Sequence, residues 1–413
     1  MTAEERASLT KKRWLVLLSS CLINLCIGAL YVWSVFSGPM AAHLSEIKGT
    51  TITAGDLAIV FSIGNGLGFI TMIGGGFLNQ KLGPKWVIFI GGVLFGLGFV
   101  ICGMASSIGM LIVGYGLFSG LAMGLAYGCT ISNSVKFFPD KAGLIGGIAT
   151  ASYGISSVII PPIANALINM VGVSRAFTYF GIFVIVMVGI FSQFILKCPA
   201  DFIPEGWTPP QVKESSEKTV ADKDWKQMLS MPVFYVMLIM LFFGAVMGMM
   251  AISQASNIAQ NMVGMSAGSA ALIVSVLALF NTFGRILAGV VSDRIGCINT
   301  LSGVFVIAIV AMFILFLNPG AAMFCVGICL VGVCFGAFMG VYPSFTAGQF
   351  GRKNSSVNYG IMFIGFNAAG VLGPILISKV YAATGAYAMA FIIALVFAAI
   401  GLVLSFVYRR FAV

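Results

Sequence analysis

An all-α integral membrane protein with twelve transmembrane helices, arranged as two pseudo-symmetric six-helix halves, is the fold class that the sequence predicts. Three observations predict it. The first is composition: of 413 residues, 60% are hydrophobic and 8% charged, with a mean hydropathy of +1.06, whereas soluble domains carry about 25% charged residues. The second is spacing, because twelve apolar runs separated by short polar loops can be counted along the chain, each long enough as a helix to cross a bilayer. The third is an internal repeat, in which Gly120, Gly124 and Gly128 recur as Gly332, Gly336 and Gly340 at an offset of 212 residues.

In chain order, Met1 to Arg13 is polar and basic, and the apolar run after it is too long for a signal-peptide core, so no cleavage is expected. The predicted spans are 14–38, 56–79, 85–106, 109–134, 142–170 and 174–196, then 232–255, 268–291, 298–317, 321–346, 356–382 and 386–408. Residues 198–230 hold four of the thirteen prolines and many of the acids. They read as a cytoplasmic linker between a bundle over 1–197 and a bundle over 231–413. Of the 22 basic residues, 18 fall at the two termini, in the linker and in the loops on the same side of the chain. By the positive-inside rule both termini are therefore cytoplasmic, at the plasma (inner) membrane. The net charge of +10 is thus a topology signal, and no nucleic-acid partner is expected.

The glycine ladders put a bare groove on spans 4 and 10, where another backbone can approach closely. Gly75, Asn79 and Gly83 are answered by Gly289, Asp293 and Gly296. Two parallel six-helix repeats around a midplane site are an architecture of secondary transporters. Arg285 breaks the repeat, since the matching region around Thr71 is neutral. It stands inside the uncharged run 270–292, where a guanidinium costs at least ~2.5–3.5 kcal/mol and normally faces a watery cavity with a partner. All twelve acids can be located and none lies inside an apolar span; Asp56 and Asp293 come closest, at span ends. Arginine cannot deprotonate to escape. One reading makes the missing counter-charge a carboxylate substrate; the other has the guanidinium bond only to carbonyls or reach the cytoplasmic edge.

Further residues carry a family resemblance. Gly289-Val-Val-Ser-Asp293-Arg294-Ile-Gly296 resembles the loop 8–9 signature of the major facilitator superfamily, with a degenerate loop 2–3 copy in which Asn79 replaces Asp. Gly28-Ala-Leu-Tyr31-Val-Trp33, Tyr127-Gly-Cys-Thr, Phe138-Pro139-Asp140-Lys141, Ser152-Tyr153-Gly154, Phe280-Asn281-Thr-Phe-Gly-Arg285 and Asn358-Tyr359-Gly360 resemble the monocarboxylate transporters and bacterial oxalate:formate antiporters. The resemblance runs from about residue 13 to the C-terminus. It implies the major facilitator fold and secondary active transport of a small organic anion by alternating access. Both families use a span 8 arginine for a substrate carboxylate, and Arg285 matches it. The antiporter's second cation, a span 11 lysine, is replaced by Phe366. One fixed cation suits one carboxylate, because a second would be an unpaired buried charge, so lactate- or pyruvate-like monocarboxylates are expected over oxalate. Asn281 stands where animal relatives carry an acid linked to proton coupling, and span 1 has no lysine after Arg13. Proton symport is expected, with exchange against a second carboxylate as the alternative.

Asn281 and Arg285 share a helix face at i, i+4. Asn281 either bonds a substrate oxygen or orients the guanidinium. The resemblance implies that Tyr31, Trp33, Tyr127, Tyr153 and Phe335 line the cavity; Tyr359, Phe363 and Phe366 complete the aromatic candidates, and ordinary packing is the alternative for each. Pro161-Pro162 and Gly373-Pro374 read either as kinks that gate the cavity or as ordinary bends of their helices. Asp293 and Arg294 are expected to form a cytoplasmic latch beside span 9, and His43 to be a solvated loop residue. The nine cysteines read as small apolar fillers; no metal or cofactor is expected. No HExxH, GxSxG or P-loop motif occurs, and no intramembrane acid is available for acid–base chemistry, which argues against an enzyme.

Overall fold

The computed structural model describes residues 2–53, 56–207, 222–317 and 320–411, all helix, turn or loop, without a strand among them. Span 1 is built from α1 (Ala3–Ile27), a 3₁₀ turn at Gly28–Val32 and α2 (Trp33–Lys48). Thr2 and Glu5 form a capping box that starts α1, satisfying amides that the first turn leaves open. Left-handed Gly49 ends α2. Then follow α3 (Ala58–Leu82) and α4 (Pro84–Gly103). Span 4 comprises α5 (Ile108–Leu111), a π-helical stretch Ile112–Ser119 and α6 (Gly120–Phe137). Span 5 comprises α7 (Ala142–Gly154) and α8 (Ser156–Val171), and span 6 is α9 (Val173–Phe191).

A short helix, α10 (Trp225–Leu229), precedes α11 (Pro232–Val263), α12 (Ala267–Ile295), α13 (Cys297–Phe316) and α14 (Ala321–Phe350). Span 11 comprises α15 (Ser355–Met362) and α16 (Ile364–Thr384), and α17 (Ala388–Phe411) closes the described chain. Eleven helical stretches among the described residues are long and apolar enough to cross a membrane; α1 and α2 supply the remaining span in two pieces. Residues 208–221 of the expected linker lie outside the described residues.

The interruptions of spans 5 and 11 do not fall at the prolines. Pro161, Pro162 and Pro374 lie inside α8 and α16, whereas the breaks are at Ile155 and Phe363. Polar side chains account for this. Ser156 and Ser157 hydroxyls donate back to the Tyr153 and Gly154 carbonyls (2.7 and 2.8 Å), and the Asn367 amide donates to the Phe363 carbonyl (3.0 Å). Such back-bonding competes with the helix ladder and bends it.

The chain forms two compact units: Met1–Phe137 with Ser152–Trp207 and Tyr359–Ile361, and Phe138–Ala151 with Thr208–Asn358 and Met362–Val413. In the first unit the α6 ladder faces α3. A methyl at Gly120 or Gly124 would meet the carbonyls of Gly64 and Gly68. A buried aromatic core of Phe36, Phe95, Phe99, Tyr115 and Phe177 fills the unit, with Phe36 stacked on Phe177 at 4.0 Å. In the second unit the α14 ladder faces α12 in the same way, Gly332, Gly336 and Gly340 lying against Leu277, Asn281 and Arg285 backbone. Large apolar side chains such as Ile182, Phe283 and Val403 stand about half exposed, the surface that lipid covers.

Candidate functional site

Arg285 lies on α12 and is 4% exposed, so it does not reach for the aqueous edge. Its depth follows from the glycines around it, since a Cβ at Gly340 of α14 or Gly147 of α7 would collide with the Arg285 carbonyl. The guanidinium is committed on two nitrogens. Nε donates to Asn281 Oδ1 at 3.2 Å, and Nη1 donates to the Thr150 carbonyl at 2.6 Å. Both acceptors are neutral. Nη2 has no acceptor and the charge has no carboxylate partner among the described residues. Asn281 thus takes the orienting role in this state, and a full positive charge stands in a low-dielectric setting. A group of this kind is complementary to a planar anion that brings its own charge.

In the same unit, Phe335 is buried against Gly248. Its ring centroid lies 6.0 Å from that of Phe366, which stacks on Phe363 at 4.5 Å. These three expected aromatics therefore come together. In the other unit Tyr127 and Tyr153 pair at 4.6 Å. Trp33 packs on Tyr115 at 4.4 Å, beside the aromatic core, and Tyr359 is buried. The Tyr31 side chain lies outside the described residues.

Three structural features escaped the sequence reading. The Thr150 carbonyl is backbone and leaves no side-chain signal. Tyr115, the partner of Trp33, reads as one aromatic among many. Asn24 and Thr130, both fully buried, form a 2.6 Å hydrogen bond within the first unit; two polar residues in apolar runs were the available clue.

Asp293, four residues before the start of α13 at Cys297, accepts from the Gly143 and Leu144 amides at 2.7 and 2.8 Å. The start of α7 leaves amides open and carries partial positive charge, which draws a carboxylate. His43 is not in a loop but in α2, half-buried, with Nε2 3.0 Å from Ser174 Oγ. Asp56, the other acid near a span end, is held by Thr53, whose amide and hydroxyl (2.8 and 2.7 Å) lower its pKa. Asp293→Asn keeps one acceptor and loses the charge. It should lower stability by about 1 kcal/mol, the usual size of an N-cap loss, read as a lower unfolding temperature in detergent.

The fold and the buried cation define a polytopic membrane transporter. The model of the Major Facilitator Superfamily matches residues 18–329 and 263–412. The uncharacterized MFS-type transporter YhjX of Escherichia coli (strain K12) is 30% identical over 365 residues, covering 87% of this chain and 86% of that protein. The oxalate:formate antiporter of Oxalobacter formigenes is 27% identical over 374 residues, covering 89% and 85%. A probable nitrate transporter, NarT of Staphylococcus carnosus (strain TM300), is 27% identical over 384 residues, covering 91% and 92%. The crystal structure of a variant of the E. coli fucose:proton symporter FucP matches with a TM-score of 0.68 at 16% identity, covering 95% of this chain and 98% of that one. The chain belongs to the Major Facilitator Superfamily and is a transporter, not an enzyme.

Proposed function

We propose that the protein carries small monocarboxylates of the lactate and pyruvate kind across the plasma (inner) membrane by alternating access, coupled to protons, with Arg285 pairing the substrate carboxylate. The observation that carries this reading is the buried guanidinium held only by neutral acceptors, with Nη2 open among the described residues. Two relatives named for oxalate, formate and nitrate support it, because carboxylate and nitrate both present a planar pair of oxygens to a guanidinium. Asn281, Tyr127, Tyr153, Tyr31, Trp33, Phe335, Tyr359, Phe363 and Phe366 are proposed as substrate-facing residues. The linker over 198–230 is proposed to join the bundles 1–197 and 231–413 on the cytoplasmic side, with both termini there.

A second reading, exchange of one carboxylate for another, is favoured by the neutral partners of Arg285. With Asn281 in place of an acid, no titratable side chain bonds the guanidinium among the described residues. The empty carrier then has a buried cation that only an anion can neutralise. Uptake of labelled L-lactate into proteoliposomes, with and without an inward proton gradient, tests both readings. Gradient-driven accumulation supports symport. Uptake only into vesicles preloaded with a carboxylate supports exchange. No flux of lactate, pyruvate, formate or oxalate in either format overturns the carboxylate reading.

Phe366→Lys adds a second cation beside the Phe335–Phe363 cluster. It should raise oxalate over lactate preference at least about tenfold, near 1.4 kcal/mol, in competition uptake; an unchanged ratio would place selectivity elsewhere.

A further inference from the structure

Of the Asn358-Tyr359-Gly360 motif, the asparagine has no part in the site above, yet it is wholly buried. The described end of the linker, Asp222 to Asp224, lies on the turn between α14 and α15 inside the second unit. Four hydrogen bonds fasten it. The Lys223 amide donates to the Phe350 carbonyl at 2.9 Å, and the Lys353 amide donates to Asp222 Oδ1 at 3.0 Å. The Asn354 and Asn358 side-chain amides both donate to the Lys223 carbonyl at 3.1 Å. Gly351, at φ +86°, has Asp222 directly over its Cα, where a side chain would collide. Asp224 then caps α10 through Gln227.

The arrangement is incompletely satisfied. Asn358 Oδ1 and Ser355 Oγ, one turn apart on α15, are buried without a hydrogen-bond partner among the described residues. Buried polar atoms of this kind destabilise the state that strands them and are relieved when water or another group reaches them. The bonds that hold the strap are few, and its Asp222 end is at the surface, with Asp222 and Lys353 exposed, where a segment begins to open locally at low cost. The residues after Asn358, Tyr359–Ile361, cluster with the other unit, so the strap is tied to the last residue of span 11 before that change.

We propose that residues 222–224 form a strap that lifts from the α14–α15 turn during the transport cycle, and that Asn358 is its positioning residue. When the strap is off, water replaces the Lys223 carbonyl as the acceptor of Asn358 Nδ2, and a second water admitted by the opening donates to Oδ1, which the closed state leaves without a donor among the described residues. The motif asparagine thereby couples the linker to span 11.

Hydrogen exchange of the full-length protein in nanodiscs tests this. Peptides covering 222–229 and 350–358 should exchange together and at least about tenfold faster than α17. The double substitution Asn354→Ala, Asn358→Ala should speed both at least a further tenfold and leave α13 unchanged. Protection equal to that of α17, or acceleration of only one peptide, overturns the proposal. A second arm locks the strap with Asp222→Cys, Lys353→Cys, the disulfide confirmed by peptide mass. Proteoliposomes are then assayed with labelled L-lactate, oxalate and nitrate. The oxidised protein should lose at least nine-tenths of the uptake shown by its reduced form, with unchanged affinity in equilibrium binding. Full uptake in the oxidised form overturns the proposal. A reduced form that carries none of the three anions counts against the substrate reading alone, and the exchange rates then decide the strap.

Discussion

Replacing Arg285 by Gln is expected to abolish carboxylate binding while leaving a protein that unfolds at the same or a higher temperature. The two effects have one cause. Without substrate, the guanidinium is held by the Asn281 side chain and the Thr150 carbonyl, neither of which returns the Coulomb energy lost on leaving water. Its removal therefore relieves the empty carrier of a burden of about 2.5–3.5 kcal/mol on insertion scales. In the proposed function, the same charge becomes the partner of a desolvated carboxylate when substrate binds. Truncating one side of such a pair costs about 2–5 kcal/mol, roughly thirtyfold to several-thousandfold in affinity. Arg285→Lys keeps the charge but loses the planar fork that engages Asn281, Thr150 and the anion together, so it should bind weakly and discriminate poorly. Calorimetric binding of L-lactate, pyruvate and oxalate, paired with thermal unfolding, checks the set. Retained affinity in Arg285→Gln would remove the central claim, and a fall in both affinity and unfolding temperature would make Arg285 a packing residue.

The spans, the repeat and Arg285 were legible for a common reason: each is a departure from what lipid tolerates. A charge in an apolar run is expensive, and a glycine every fourth residue has no packing value unless another backbone fills the groove. The ladders met α3 and α12 as that logic requires. What was not legible is what backbone atoms and distant partners decide. The Thr150 carbonyl holds Arg285 across 135 residues of sequence, and Asp293 finds the α7 amides across 150; neither pairing leaves a local pattern. The breaks at Ile155 and Phe363 come from Ser156, Ser157 and Asn367 bonding back to carbonyls, while the nearby prolines, louder in sequence, sit within helices. The packing of Trp33 was not legible either: its ring lies tilted against Tyr115, a partner 82 residues away with no pattern to announce it.

The second large effect is expected at Gly340, and it tests whether the repeat carries the site. A Cβ there would fall on the Arg285 carbonyl, and one at Gly336 would fall on the Asn281 carbonyl. Both obstacles are backbone of α12, which cannot rotate away as a side chain would, so α14 and α12 must separate. Overpacking of a close-packed core costs about 1–3 kcal/mol, and the displacement acts on the two residues that present the guanidinium. A shift of about 1 Å in a positioned group can cost on the order of a hundredfold in function. Gly340→Ala and Gly336→Ala should therefore each lower the unfolding temperature and reduce carboxylate affinity by tenfold or more, although neither glycine has a side chain to offer a substrate. Gly348→Ala, on the same helix with nothing within 4 Å of the added methyl, should be neutral or slightly stabilising, since alanine is the better helix former. If the three variants behave alike, the ladder is only composition. If Gly340 and Gly336 alone fail, the repeated scaffold sets the depth and aim of the one residue that breaks the repeat.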